Sequence, residues 1–81
     1  LNRRSHDSPL ASLTERERQV LALIAEGRSN QAIAEMLYLS AASIEKHISA
    51  IFHKLDLPVD ENSNRRVLAA LAHVADERNK S

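Results

Sequence analysis

Apolar residues recur at helical spacing in four stretches of this chain, and polar residues occupy most positions between them. Apolar positions three and four residues apart fall on one face of a helix. The four stripes are Val20, Leu21, Ile24 and Ala25; Ile33, Ala34 and Leu37; Ile44, Ile48, Ile51 and Leu55; and Val67, Leu68, Leu71 and Val74. The pattern predicts an all-α fold class with four helices, at about 15–26, 30–37, 41–55 and 64–75.

Residues that start and stop helices stand at the edges of these stretches. Thr14 and Glu17 have the spacing of a capping box, and Ser29 and Ser40 are the N-caps expected for the next two helices. Gly27 is expected to end the first helix in the left-handed conformation. The third helix is expected to stop at Asp56, shortly before a proline, and Asn62 or Ser63 is expected to cap the fourth.

The ends of the chain lack this periodicity. Residues 1–12 are polar and are interpreted as a linker or disordered tail, which an upstream domain could precede. Residues 13–75 form the predicted domain, and residues 76–81 form a polar tail that is expected to fray. Between the last two helices, residues 56–63 form an acidic loop.

Composition narrows the function classes further. The 81 residues contain no cysteine, which excludes disulfides and thiolate chemistry, and no apolar run approaches the length of a membrane span. We find no catalytic constellation, cofactor motif or metal-ligand spacing, so we expect no enzyme, cofactor or metal, and a cytoplasmic location. The net charge is zero, so a nucleic-acid surface requires that basic residues be segregated in space.

The third predicted helix has a distinctive polar face. With Ile44 and its apolar neighbours turned inward, Lys46 and His53 point away from the core, and Ala42, Ser49 and Ala50 lie beside them. Two short helices joined by about three residues must cross steeply, as in a helix-turn-helix, whose second helix enters the DNA major groove. A face of small residues with a few longer polar side chains is suited to that close approach.

The run from residue 13 to residue 55 resembles the DNA-binding domain of the LuxR/NarL (GerE-type) transcription regulators. The residues that carry the resemblance are Leu13, Thr14, Arg16, Glu17, Arg18, Val20, Leu21, Gly27, Ser29, Asn30, Ile33, Ala34, Leu37, Ser40, Ile44, His47, Ile51, Lys54 and Leu55. Glu45 departs from the family, which usually has lysine there, and Asp56 replaces a usual glycine. The loop before the fourth helix is longer and more acidic than is usual.

The resemblance implies a set of contact residues. Those predicted to contact bases are Glu45, Lys46 and Ser49, and those predicted to contact phosphates are Ser29, Asn30, Ser43, His47, His53 and Lys54. Glu45 could accept a hydrogen bond from a cytosine amine, or pair with Lys46 or Arg28 and touch no base. We interpret residues 14–18 as capping and ion pairing, and Arg65 and Arg66 as a solvated helix start.

The partners implied are double-stranded DNA and a second copy of the chain. The predicted dimer contacts lie on the outward side of the fourth helix, at Arg65, Ala69, Ala72 and His73. The function expected is sequence-specific DNA binding as the C-terminal output domain of a bacterial transcription regulator, most simply a two-component response regulator, with RNA polymerase as a further partner. The alternatives are the promoter-reading region of a sigma factor and a protein-interaction domain of the same fold.

Overall fold

Four α-helices make up most of the fold, as a computed structural model of the protein shows. The structure describes residues 9–57 and 62–80. A 3-10 turn at Pro9–Ser12 precedes α1 (Glu15–Ala25), α2 (Asn30–Leu37), α3 (Ala41–Lys54) and α4 (Asn62–Lys80). The described ranges contain no strand. The predicted all-α class is confirmed, and the bounds of the first three helices agree with prediction to within one residue.

Side chains begin these three helices as the sequence predicts. The Thr14 hydroxyl accepts from the Glu17 backbone N–H at 3.1 Å, and the Glu17 carboxylate accepts from the Thr14 N–H at 2.9 Å, which completes the capping box. Ser29 and Ser40 cap α2 and α3 by accepting from the N–H three residues on. Each cap provides a partner for one of the amide donors that a helix start leaves free.

A left-handed residue follows the end of each of these three helices. Gly27, Tyr38 and Asp56 have φ values of 87°, 58° and 56°. After each of them the chain closes back on the helix, as when the Arg28 N–H donates to the Leu23 carbonyl at 3.1 Å. Glycine adopts this conformation without strain, as predicted for Gly27, and aspartate tolerates it at position 56. The left-handed Tyr38 was not foreseen.

The core lies between α1, α2 and α3, and α4 packs onto it against α1. Ile44, Ile48, Ile51 and Leu55 of the α3 region are all buried, as their spacing predicts, and Phe52 joins them. The rest of the core consists of Leu10, Leu13, Val20, Leu21, Ile24, Ile33, Ala34 and Ala69. Leu10 lies in the segment interpreted as a disordered tail, so the described part of that segment is structured after all. Residues 1–8 lie outside the described residues.

The bounds of α4 differ from prediction at both ends. The helix starts at Asn62, so Ser63 lies inside it and is not its N-cap. The polar segment expected to fray from residue 76 continues the helix to Lys80. Arginine, glutamate and lysine favour helix as long as nothing breaks it, and polarity alone does not end one. Residues 58–61, the middle of the acidic loop, lie outside the described residues.

The buried face of α4 is the opposite of the predicted one. Ala69 is fully buried and Ala72 packs on the core, whereas Val67, Leu68, Leu71 and Val74 are exposed by 57%, 40%, 59% and 46%. Residues 67–72 are all apolar, so helical periodicity there cannot select a face. Alanine lets α4 approach α1 closely, which a larger side chain would prevent. The prediction that Arg65, Ala69, Ala72 and His73 face outward is therefore wrong.

Candidate nucleic-acid interface

A three-residue turn, Tyr38 to Ser40, joins α2 to α3. Tyr38 reverses the chain in the left-handed conformation, Leu39 packs against the core, and Ser40 starts the next helix. The Leu39 N–H donates to the Ala34 carbonyl at 2.9 Å, which fixes the turn to α2. The arrangement fits a helix-turn-helix, with α3 in the position of the helix that enters the groove.

Most of the residues predicted for the outward face of α3 are exposed, and Ala50 is half-buried. Ala42, Glu45, Lys46 and Ser49 are exposed and together line a shallow trough. Opposite them, the isoleucines of α3 anchor the helix in the core. Within the part of the chain that the structure describes, Glu45 forms no ion pair, and Arg28, one of its two predicted partners, pairs with Glu26 at 3.3 Å. The carboxylate is therefore available to a ligand.

Hydroxyl and amide groups stand at the starts of α2 and α3. Ser29 and Ser40 act as caps, so each hydroxyl oxygen already accepts one hydrogen bond. The Ser40 hydroxyl also donates to the Ser43 oxygen at 3.1 Å, which leaves the Ser43 hydroxyl hydrogen free to donate. Helix starts of this kind are suited to phosphate, because free N–H groups and the helix dipole point at the anion.

The remaining predicted contacts differ in exposure. His53 is exposed and His47 is half-buried. Lys54 has a partner inside the protein, because its Nζ lies 2.8 Å from the Glu17 carboxylate oxygen. This ion pair ties the end of α3 to the start of α1 and holds α3 against the core. Ion pairing by residues 14–18 is as expected from the sequence, but Lys54 was not predicted as the partner.

Glu17 is buried and charged, and its surroundings account for that combination. Burial raises the pKa of the Glu17 carboxyl, but hydrogen bonds from Lys54 and Thr14, together with the Lys54 charge, outweigh burial and leave the pKa below its ordinary value. One carboxylate therefore serves both the α1 cap and the contact to α3.

Two arginines at the start of α4 have structural contacts that the sequence analysis missed. Arg66 donates to the Asn30 side-chain oxygen and, at 2.7 Å, to the Arg28 carbonyl. The Arg65 guanidinium lies 4.8 Å from the centre of the Phe52 ring. The interpretation of this pair as a solvated helix start is wrong. A pair of neighbouring arginines gives no sign that one contacts Phe52 on α3 and the other contacts residues more than thirty positions away.

The described residues contain no group of three or more histidine, aspartate or glutamate side chains placed to hold a metal ion. Within the same ranges, no helix is long and apolar enough to cross a membrane. The surface that remains distinctive is the trough on α3, with hydrogen-bond donors at the two helix starts. Fold and surface together define a helix-turn-helix DNA-binding domain.

The comparisons with known proteins agree with this class. A model of the family described as "Bacterial regulatory proteins, luxR family" (GerE) matches residues 11–72. The chain therefore belongs to the luxR family of bacterial regulatory proteins, as its resemblance predicts. Members of this family are DNA-binding transcription regulators, and it is not a family of enzymes.

Individual relatives carry names of the same kind. The chain is 42% identical over 65 residues to the transcriptional regulatory protein LiaR of Bacillus subtilis, an alignment that covers 80% of this chain and 28% of the relative. It is 44% identical over 57 residues to the nitrate/nitrite response regulator protein homolog of Haemophilus influenzae, covering 70% and 27%. The chain thus matches about a quarter of the length of these curated relatives.

Proposed function

We propose that this domain reads a specific DNA sequence by inserting α3 into the major groove. The observation that carries the proposal is the two-sided character of α3, whose isoleucines are buried while Ala42, Lys46 and Ser49 form an exposed face of small and polar residues. A major groove about 12 Å wide accepts one helix of this kind. Lys46, Ser49 and Glu45 would meet base edges.

Phosphate contacts would come from the two helix starts. Ser29 and Asn30 would contact one phosphate and Ser43 another, through side-chain donors and free backbone amides. His47 and His53 would add donors along α3. We leave Lys54 out of the proposed set, because Glu17 already holds its ammonium group. These contacts would set register on the duplex, and the α3 face would supply sequence discrimination.

Dimerisation on DNA would use the exposed side of α4. Val67, Leu71 and Val74 follow one another at helical spacing, with Leu68 beside them, and all four are at least 40% exposed. A second copy that presents the same stripe would cover it symmetrically, as in two-fold dimers generally. This surface replaces the buried one predicted from the sequence. Two copies would then bind neighbouring half-sites.

The domain would serve as the output part of a longer cytoplasmic regulator of transcription. Support comes from the relatives, which are named as response regulators and are several times longer than the matched segment. An upstream domain would receive the signal, and RNA polymerase would be the eventual partner at the promoter. A two-component system is the simplest setting for such a protein.

Selection of bound duplexes from a random pool tests the proposal directly. We expect the 81-residue chain to enrich a short motif, repeated at a spacing that suits a dimer. The enriched duplex should bind roughly 10³-fold or more tightly than a mixed-sequence duplex, a typical lower value for specific sites. Enrichment of no motif would instead support a protein-interaction domain with this fold.

A further inference from the structure

A single guanidinium on α4 holds the turn that leads into α2. Arg66 donates from one nitrogen to the Asn30 side chain and from the other to the Arg28 backbone carbonyl. These two acceptors lie on either side of Ser29, the residue that caps α2. Arg66 thus fixes both the backbone before the cap and the first side chain after it.

The chemistry of this contact determines which way the Asn30 amide points. Arginine has only donors, so the Asn30 atom that meets it must be the oxygen. The Asn30 amide nitrogen is consequently at the other end of the group. Among residues 9–57 and 62–80 this nitrogen makes no hydrogen bond. Two N–H donors of a half-buried side chain are therefore left for a ligand.

We propose that Arg66 is a positioning residue for DNA binding, which orients the Asn30 amide toward a backbone phosphate. The inference rests on the proposed function and deepens it, since it assigns the Asn30 contact to a residue on another helix. The Arg66 charge, held at the same helix start, raises the local potential for an anion. Arg66 acts through Asn30 and reads no base.

Arg66 also lies next to the proposed dimer surface. Arg66 immediately precedes Val67, the first residue of the exposed apolar stripe on α4. One turn of α4 thus carries both the start of the proposed dimer surface and Arg66, which holds residues 28–30 at the start of α2. When a second copy covers the apolar stripe, this turn of α4 should become less mobile, and Arg66 should then hold the Asn30 amide in place.

Substitutions at the two ends of the contact test the inference. Binding is measured by fluorescence anisotropy on the selected duplex and on a mixed-sequence duplex, over a range of salt. Arg66→Gln should weaken binding to both duplexes by about tenfold, which is the order expected when a charge-assisted contact is lost. The ratio between the duplexes should not change. The log–log salt slope should become shallower by less than one, because Arg66 brings its charge near the phosphate without contacting it.

Two further variants separate positioning from charge and from folding. Arg66→Lys keeps the charge but cannot form the planar two-pronged contact, so it should bind nearly as weakly as Arg66→Gln. Asn30→Asp keeps an acceptor for Arg66 and should fold at least as stably as the parent. It loses the amide donor and adds a negative charge beside the phosphate, so it should bind at least tenfold more weakly. Because Asn30→Asp should fold, parent-like binding by this variant would overturn the inference even if Arg66→Gln does not fold. Arg16→Gln, which removes an exposed charge on α1, is the control and should match the parent.

The inference would be overturned if either Asn30→Asp or Arg66→Lys bound DNA as tightly as the parent. Asn30→Ala in the Arg66→Gln background should cause no further loss, because the two act as one unit. An additive loss would count against it. These failures are distinct from failure of the proposed function, in which the parent itself would show no preference for any duplex.

Discussion

The ion pair between α1 and α3 gives a stability prediction that can be worked from the geometry. Lys54 Nζ lies 2.8 Å from a Glu17 oxygen, and the Glu17 side chain is 7% exposed against 31% for Lys54. Lys54→Met leaves a buried carboxylate with the Thr14 N–H as its remaining donor, so we expect a loss of about 2 kcal/mol. Glu17→Gln keeps the capping box and leaves the lysine able to reach water, so about 1 kcal/mol is expected.

The double variant makes the test specific to the pair. Once Lys54 is replaced, the buried Glu17 charge destabilises the fold. Adding Glu17→Gln to Lys54→Met should therefore cause no further loss in the free energy of unfolding. The three variants should therefore show a coupling of about 1–2 kcal/mol. Urea unfolding followed by circular dichroism measures each midpoint. A Lys54→Met midpoint equal to that of the parent, or strictly additive losses, would refute the reasoning.

Acid should weaken the same contact. The pKa of Glu17 is lowered by folding from an ordinary value of 4.5, so its contribution to stability is fully present above that value. The contribution is lost as the pH falls through the folded-state pKa. Parent and Glu17→Gln should therefore converge in stability in acid, below about pH 4.5. A difference that stays constant into acid would show that the carboxylate charge is not what stabilises the contact.

Four other predictions concern the DNA-binding surface and the orientation of α4. The log–log salt slope should be about −3 to −4 per protomer, given the few basic residues near α3, and a slope near zero on every duplex would favour a protein-interaction role. Glu45→Lys should tighten binding to all duplexes alike if Glu45 only repels phosphates, whereas a flattened preference at one base pair per half-site would mean that it reads a base, at about 1–3 kcal/mol per mismatch. Leu71→Ala should leave unfolding of the monomer nearly unchanged but weaken cooperative binding to paired half-sites. Ala69→Leu should destabilise the fold by about 1–3 kcal/mol through overpacking. If Leu71→Ala lost more stability than Ala69→Leu, the face of α4 predicted from the sequence would be the buried one.

The sequence was sufficient to predict the first three helices, for reasons that lie in local chemistry. Thr14, Ser29 and Ser40 bond to amides three residues away, and Gly27 ends its helix through its own backbone freedom. The isoleucines of α3 fall on one face with polar residues opposite, so their period selects the buried side without ambiguity. The exposed positions of α3 follow from the same period.

The fourth helix could not be oriented in the same way. A run of six apolar residues offers two plausible faces, and the choice depends on how closely α4 approaches α1, which is a tertiary property. The contacts of Lys54 and Arg66 bridge 37 and 36 positions in sequence. A charged residue gives no sign of so distant a partner. A pattern of small residues within an apolar run, such as Ala69 and Ala72, is the one local signal for close packing.

The most direct test of the central claim is the effect of Lys46→Ala on discrimination between DNA sequences. Binding is compared between the selected duplex and a mixed-sequence duplex, with Arg16→Ala as a control that removes one exposed charge elsewhere. If α3 lies in the major groove, Lys46→Ala should weaken binding to the selected duplex by about 1–3 kcal/mol and to the mixed duplex far less. Its urea midpoint should stay close to the parent's. Equal binding of parent and Lys46→Ala to the selected duplex would contradict the placement of α3 in the groove.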